Sequence, residues 1–209
     1  NLGKKSDTWF EQAYGFGMFG SYFLPDAGEV YGRLTGLHMR TGNNDAAGST
    51  NGVKQDDNTR VESAYMGWRS GDLFDSLGKD FIDVSVGRRQ YVAGNGFLFY
   101  AESSNGGKRG SYWIGSRHAA DFLALLTLKT GGFSTDIFHL KADDNPNSDT
   151  RATGVTLDYG FDTLGGIGGG VYYITSDIDA RDSMEVYDAR YSLTPFAGLD
   201  AEKDSFAFL

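Results

Sequence analysis

Along most of the chain, apolar and polar residues alternate one by one. In 10–24, Phe10, Tyr14, Phe16, Met18, Tyr22 and Leu24 share one phase, and Glu11, Ala13, Gly15, Gly17 and Ser21 the other. Successive side chains of a strand point to opposite faces, so this period of two predicts strands with one oily face. Residues 29–40 continue it less cleanly. In 60–69, Val61 and Tyr65 are expected opposite Arg60 and Glu62, and in 82–87 Ile82, Val84 and Val86 opposite Asp83 and Ser85. Phe122, Ala124, Leu126 and Leu128 oppose Asp121, Thr127 and Lys129 in 119–129, whereas 133–141 is mixed, with Phe138 and Leu140 on the same face as Asp136. Residues 151–159, 166–176 and 184–193 follow, the last with Tyr187, Ala189, Tyr191 and Leu193 against Asp188, Arg190 and Ser192, and a final strand begins near Ser205. The pattern predicts about ten strands of roughly 9–12 residues, the length a tilted strand needs to cross a bilayer.

The connections alternate in kind. Tight ones, PDAG at 25–28, TGG at 130–132 and DTLG at 162–165, interleave with longer polar ones at 41–58, 92–117 and 142–150 and a shorter one at 176–182. The connections at 70–80 and 194–203 belong to the tight side by order, although each is about ten residues long. Short turns at one rim and long polar loops at the other are expected of an outer-membrane barrel. Alternation alone also fits a sandwich whose oily faces point inward. Three features favour the barrel: the strand length, a second face rich in Gly, Ala, Ser, Thr, Asp and Arg, and aromatics near strand ends (Trp9, Phe10, Tyr22, Phe23, Trp68, Tyr91, Tyr159, Tyr191).

Composition narrows this further. Glycine is 30 of 209 residues, about twice the usual ~7%, with only three prolines and 14% aromatics. Aromatic-rich, proline-poor chains are not disordered. A formal net charge of −9 argues against nucleic acid as a partner. There is no cysteine, hence no disulfide. No run of ~18 apolar residues is present, and residues 1–8 carry no apolar leader.

Three stretches, RVESAYMGWR (60–69), DFIDVSVGRRQY (80–91) and RHAADFLALLTLKTGGFSTDIFHLKAD (117–143), together resemble the alginate-export family of outer-membrane porins. That family shows a strand ending in Gly-Arg-Gln, then a loop and a hairpin of similar character. The resemblance implies a single-chain antiparallel transmembrane β-barrel of roughly 16–18 strands, in which 1–209 is one incomplete, N-terminal portion. It implies a polar pore for anionic polysaccharide or small solutes in a Gram-negative outer membrane, with the lipid bilayer and lipopolysaccharide as surroundings and no cofactor. That DSFAFL stops as a strand begins, and that the first connection is a tight one, agrees with missing strands on both sides.

The neighbouring Arg88 and Arg89 pose the chemical question. By phase Arg89 shares the polar face with Asp83 and Ser85, and Arg88 is expected at the rim or turned by a bulge at Gly87. Arg60, Arg117 and Arg190 are placed on polar faces with Glu62, Asp83, Asp121 and Asp188, as are Arg69 and, less regularly, Arg33. Arg89, Arg88, Arg60, Glu62, Asp83, Arg117, Asp121 and Arg190 are therefore the expected pore-lining set, offering paired donors to carboxylates or phosphates. The alternative is a ladder of cross-strand ion pairs worth about 0.2–1 kcal/mol each. The acidic runs at 142–150 and 176–182 lack EF-hand spacing, and His38, His118 and His139 share no zinc spacing. No GxSxG elbow occurs, and GGIGGG at 165–170 lacks the Lys-Ser/Thr of a phosphate loop and reads as a close-packed strand. The expectation is a passive channel and no enzyme. The competing readings are a secreted or periplasmic carbohydrate-binding β-sandwich and, behind it, an outer-membrane enzyme.

Overall fold

The computed structural model describes residues 8–42, 55–94, 96–105, 109, 111–144, 148–161, 165–177, 183–193 and 206–207. These form one antiparallel sheet in chain order: β1 (Phe10–Leu24), β2 (Gly28–Gly42), β3 (Gln55–Arg69), β4 (Ile82–Arg88), β5 (Phe122–Thr130), β6 (Phe133–Lys141), β7 (Arg151–Phe161), β8 (Gly165–Thr175), β9 (Ser183–Leu193) and the two-residue β10 (Phe206–Ala207). Every strand pairs with its chain neighbours, and no pairing closes the sheet among the described residues. No α-helix occurs among them. The turns after β1 and β5 are tight, and the turns 70–81 belong to the same end of the sheet. The connections 43–54, 162–164, 178–182 and 194–205 lie outside the described residues.

Cross-strand register arranges the two faces. One row, Tyr22–Val30–Trp68–Val84–Leu126–Ile137–Val155–Val171–Tyr187, runs unbroken through nine strands with an apolar or aromatic side chain at every step. Tyr22, Val84, Ile137, Val155, Val171 and Tyr187 in this row are exposed, as are Tyr14, Phe16, Met18, Leu34, Met66, Leu157 and Ile167 on the same face. This is the bare face: among the described residues no second sheet or segment packs on it. A soluble sandwich buries its oily face; here the oily face is the uncovered one.

The opposite face is covered in part by the described residues of 89–121, the connection between β4 and β5. Its expected place was the loop rim. Instead it folds back over the sheet, because both partners are apolar. Tyr91, Ala93 and Phe99 of the segment bury against Leu123 and Leu125 of β5, Phe138 and Leu140 of β6, Ala152 of β7 and Tyr172 of β8. Ring centroids of Phe99 lie 5.3 Å from Phe138 and 5.2 Å from Tyr172. Each such Leu or Phe gains about 1.5–3 kcal/mol on leaving water. The mixed phase of 133–141 follows from this: Phe138 and Leu140 sit on the polar side because the segment roofs them. Further along, Ser111 is fully buried and bonds Thr41 Oγ1 through its N–H (2.8 Å) and the Gln12 carbonyl through its hydroxyl (2.9 Å).

One register expectation fails. The β2–β3 pairing shifts between Thr35 and Gly36, where Val61 and Glu62 together face Gly36. The bulge reverses the phase, so Tyr65 stands on the covered face, opposite Arg33, and Met66 and Trp68 join Val61 on the bare one. No shift occurs at Gly87, where a bulge was considered; the register of β4 with β3 and β5 runs through it. Gly87 instead has φ +128°, and a Cβ there would stand 2.3 Å from the Ala64 carbonyl oxygen. Only glycine fits.

Candidate functional site

The segment 89–121 divides the covered face in two. Its aromatic roof closes the half over β5–β8. Over β1–β4, where Ser111 and His118 of the segment also touch the sheet, it leaves a pocket of about 590 Å³ whose lining includes Phe19, Arg33, Glu62, Tyr65, Arg89 and His118. A second hollow of about 310 Å³ adjoins it, sharing Phe19, Arg33 and Tyr65 and adding Tyr31 and Arg69. Three guanidiniums thus stand along β2–β4, each over a ring: Arg89 over Tyr65 (4.7 Å), Arg33 over Phe19 (5.9 Å) and Arg69 over Tyr31 (4.5 Å). Such stacking holds a guanidinium without consuming its N–H donors.

The three differ in their partners. Arg69 is joined to Glu29 at 3.5 Å, its direct cross-strand neighbour. Arg89 donates to Ser85 Oγ (2.7 Å), and Arg33 is exposed. Among the described residues neither Arg33 nor Arg89 has a carboxylate within ion-pair distance. Asp83, across from Arg69, accepts the Tyr31 hydroxyl. The open half therefore presents two cations without a carboxylate partner among the described residues, backed by aromatic rings.

The remaining arginines of the expected set serve the scaffold. Arg88 sits at the loop end of β4, as expected for a rim residue, and binds Asp121 (3.0 Å) and Asp143. Arg117 does not stand on a strand face, which corrects its expected place. It belongs to the folded segment, is 1% exposed, and binds Asp143 and, at 3.5 Å, Glu62. Arg109 joins them, reaching the Asp143 carboxylate at 3.0 Å and its carbonyl at 2.6 Å. Asp143 is thus held by three guanidiniums. Burial pushes its carboxyl up, but the Arg88 hydrogen bond and the three positive charges outweigh this and hold it below the usual carboxylate range. Glu62, freed by the bulge, accepts the backbone N–H groups of His118 (2.7 Å) and Ala119 (2.9 Å). Asp121 is exposed at the rim, and Arg60 is exposed beside Asn58 at 3.1 Å. Arg190 lies on the covered face between Asp158 and Asp188, each at 3.1 Å, as an ion-pair ladder would have it.

The acidic run at 142–150 is engaged within the fold: besides Asp143, Asp149 binds Lys141 (2.9 Å) and Arg151 (2.7 Å), and Asp144 accepts the Thr150 N–H (3.2 Å). Among the described residues no group of three His, Cys, Asp or Glu is placed to hold a metal.

Sequence reasoning missed Arg33 as a site residue and Tyr65 as its neighbour. The bulge hid Tyr65. No family model, curated protein or solved structure matches the chain.

Proposed function

We propose that this sheet is a stretch of wall of a transmembrane β-barrel in a Gram-negative outer membrane, and that the protein is a passive channel for small or anionic solutes. One observation carries the reading: the unbroken apolar face is the exposed face, while the opposite face is polar on one half and partly roofed by its own loop. Lipid would meet the first and water the second. The sorted loops and the likeness of 60–69, 80–91 and 117–143 to alginate-export porins support the same reading, as does the outward place of Arg40, Lys141 and Arg151 near the loop end of the strands.

Arg33 and Arg89 are the groups that favour anions, because their donors are not tied to carboxylates. The net charge of −9 does not oppose this locally, since Asp143, Asp149, Asp158 and Asp188 are each spent on a cation. Current through the intact protein in a planar bilayer under a salt gradient tests both parts. Stepwise conductance with an anion-favouring reversal potential is expected. Arg33→Ala and Arg89→Ala should each reduce that preference, and the double variant should abolish it. Cation preference in the unaltered protein would remove the anionic solute and leave the channel. A silent protein that stays in solution without detergent would refute the membrane reading in favour of a soluble binding protein.

A further inference from the structure

The folded segment contains one titratable group that neither the roof nor the anion-facing pocket uses. Glu102 is 8% exposed. Its Oε2 accepts the Tyr91 N–H at 3.3 Å, and its Oε1 has no hydrogen-bond partner among the described residues. It sits where three stretches of the chain cross: its N–H donates to the His118 carbonyl (3.0 Å), and its own carbonyl accepts the Asp143 N–H (2.7 Å). The charged and titratable groups of these stretches are engaged elsewhere. The Tyr91 hydroxyl binds Asp136 (3.2 Å), His118 Nε2 meets the Gly115 carbonyl (2.7 Å), and Arg88, Arg109 and Arg117 converge on Asp143. No cation is paired with the Glu102 carboxyl among the described residues. A carboxylic acid is tolerable in such a place; a carboxylate is not.

We propose that ionisation of Glu102 loosens the stretch it shares with Tyr91 and Phe99 from the covered face, so that this stretch is a pH-sensitive constriction. As a constriction it rests on the channel reading; as a moving segment it does not. Burial pushes the Glu102 carboxyl up from 4.5 to about 7, against the downward pull of the Tyr91 N–H and its own N–H. The sign follows from linkage. With Glu102 protonated the packed segment carries no penalty; the penalty grows as pH rises from 4.5 towards 7 and is complete above 7. That shift moves the packed-to-loose ratio by on the order of 100-fold. The packed, narrow state therefore belongs to mildly acid conditions and the loosened, wider one to neutral and alkaline conditions.

Two readouts on the intact protein test this, single-channel conductance and the reactivity of one introduced thiol. The chain has no cysteine, so Ser103→Cys beside Glu102 supplies a unique target for a membrane-impermeant maleimide. Between about pH 5 and about pH 8.5, conductance and thiol labelling should both rise. In Glu102→Gln, which mimics the neutral acid, conductance should stay at the low value. Labelling there should follow only the thiol's own ionisation, which the comparison of the two backgrounds removes. Glu102→Asp, shorter but still titratable, should keep a pH response. A conductance and a normalised labelling that are flat with pH, or a response that persists in Glu102→Gln, would overturn the proposal. Labelling that responds to pH through Glu102 in an inserted protein that never conducts would support the loosening and refute the channel.

Discussion

At the scale of single residues, what a charge does here depends on whether its partner is also buried. Arg117 and Asp143 are 1% and 13% exposed, and the second is the shared anion of three guanidiniums. Removing one partner of a buried pair leaves the other charge uncompensated, which typically costs about 3–5 kcal/mol. Asp143→Asn should therefore detach the segment near Arg109 and Arg117, seen as faster tryptic cleavage after those arginines in the folded protein. Asp149→Asn, whose partners Lys141 and Arg151 are exposed, should leave that cleavage rate unchanged. Equal rates in the two variants would mean that the apolar roof alone holds the segment. Asp143 and Glu102 are also shifted in opposite directions. The Asp143 carboxyl is depressed, so its contribution is complete above 3.8 and is lost only as pH falls below that value. The Glu102 penalty appears instead between 4.5 and about 7. The packed segment is thus best held in the interval between the two.

At the scale of elements, the bulge in β3 places the site. One extra residue at Val61–Glu62 turns Tyr65 to the covered face beside Arg33 and releases Glu62 to cap two N–H groups of the segment. Glu62→Ala should leave both donors buried without acceptors, a loss of about 1–3 kcal/mol, and should raise amide exchange at His118 and Ala119 before it affects the strands. Exchange that is unchanged there would show that the two N–H groups find water instead. The strands themselves were legible, because a period of two with an exposed apolar phase runs through most of them, part of β2 and the mixed β6 being exceptions. Asp83 and Arg190 stand on the face that phase gave them, and Arg89 lines the pocket over that face. Tyr65 does not stand on its expected face, since a bulge is a single added residue with no local signature in Val61–Glu62–Ser63, whereas Arg33 keeps the polar face expected of it. The inward course of 89–121 was not legible either, since it depends on contacts between Phe99, Phe138 and Tyr172 far apart in the chain. Its trace in the sequence was indirect: Leu123, Leu125, Phe138 and Leu140 are apolar on a face that should have been polar.

At the scale of the whole molecule, the bare face decides between lipid and water, and it can be made to answer. Val155 lies in the middle of β7, flanked in the nine-strand row by Ile137 and Val171, and all three are exposed. If that row lies within a hydrocarbon layer, Val155→Arg brings a guanidinium to its middle at a cost of about 2–4 kcal/mol. Near the interface the cost falls to about 0–1 kcal/mol, so an arginine at Thr153, two residues nearer the loop end on the same face, should cost less. If the face instead meets water, both substitutions are surface changes within about 0.5 kcal/mol of zero. Urea titration of the protein refolded into vesicles, against the same variants in detergent-free buffer, separates the cases. A graded loss, larger at Val155 than at Thr153 and present only in vesicles, fits a belt with depth. Two small and equal effects would place this face in water, and the exposed row would then have to be explained as a surface that another protein covers.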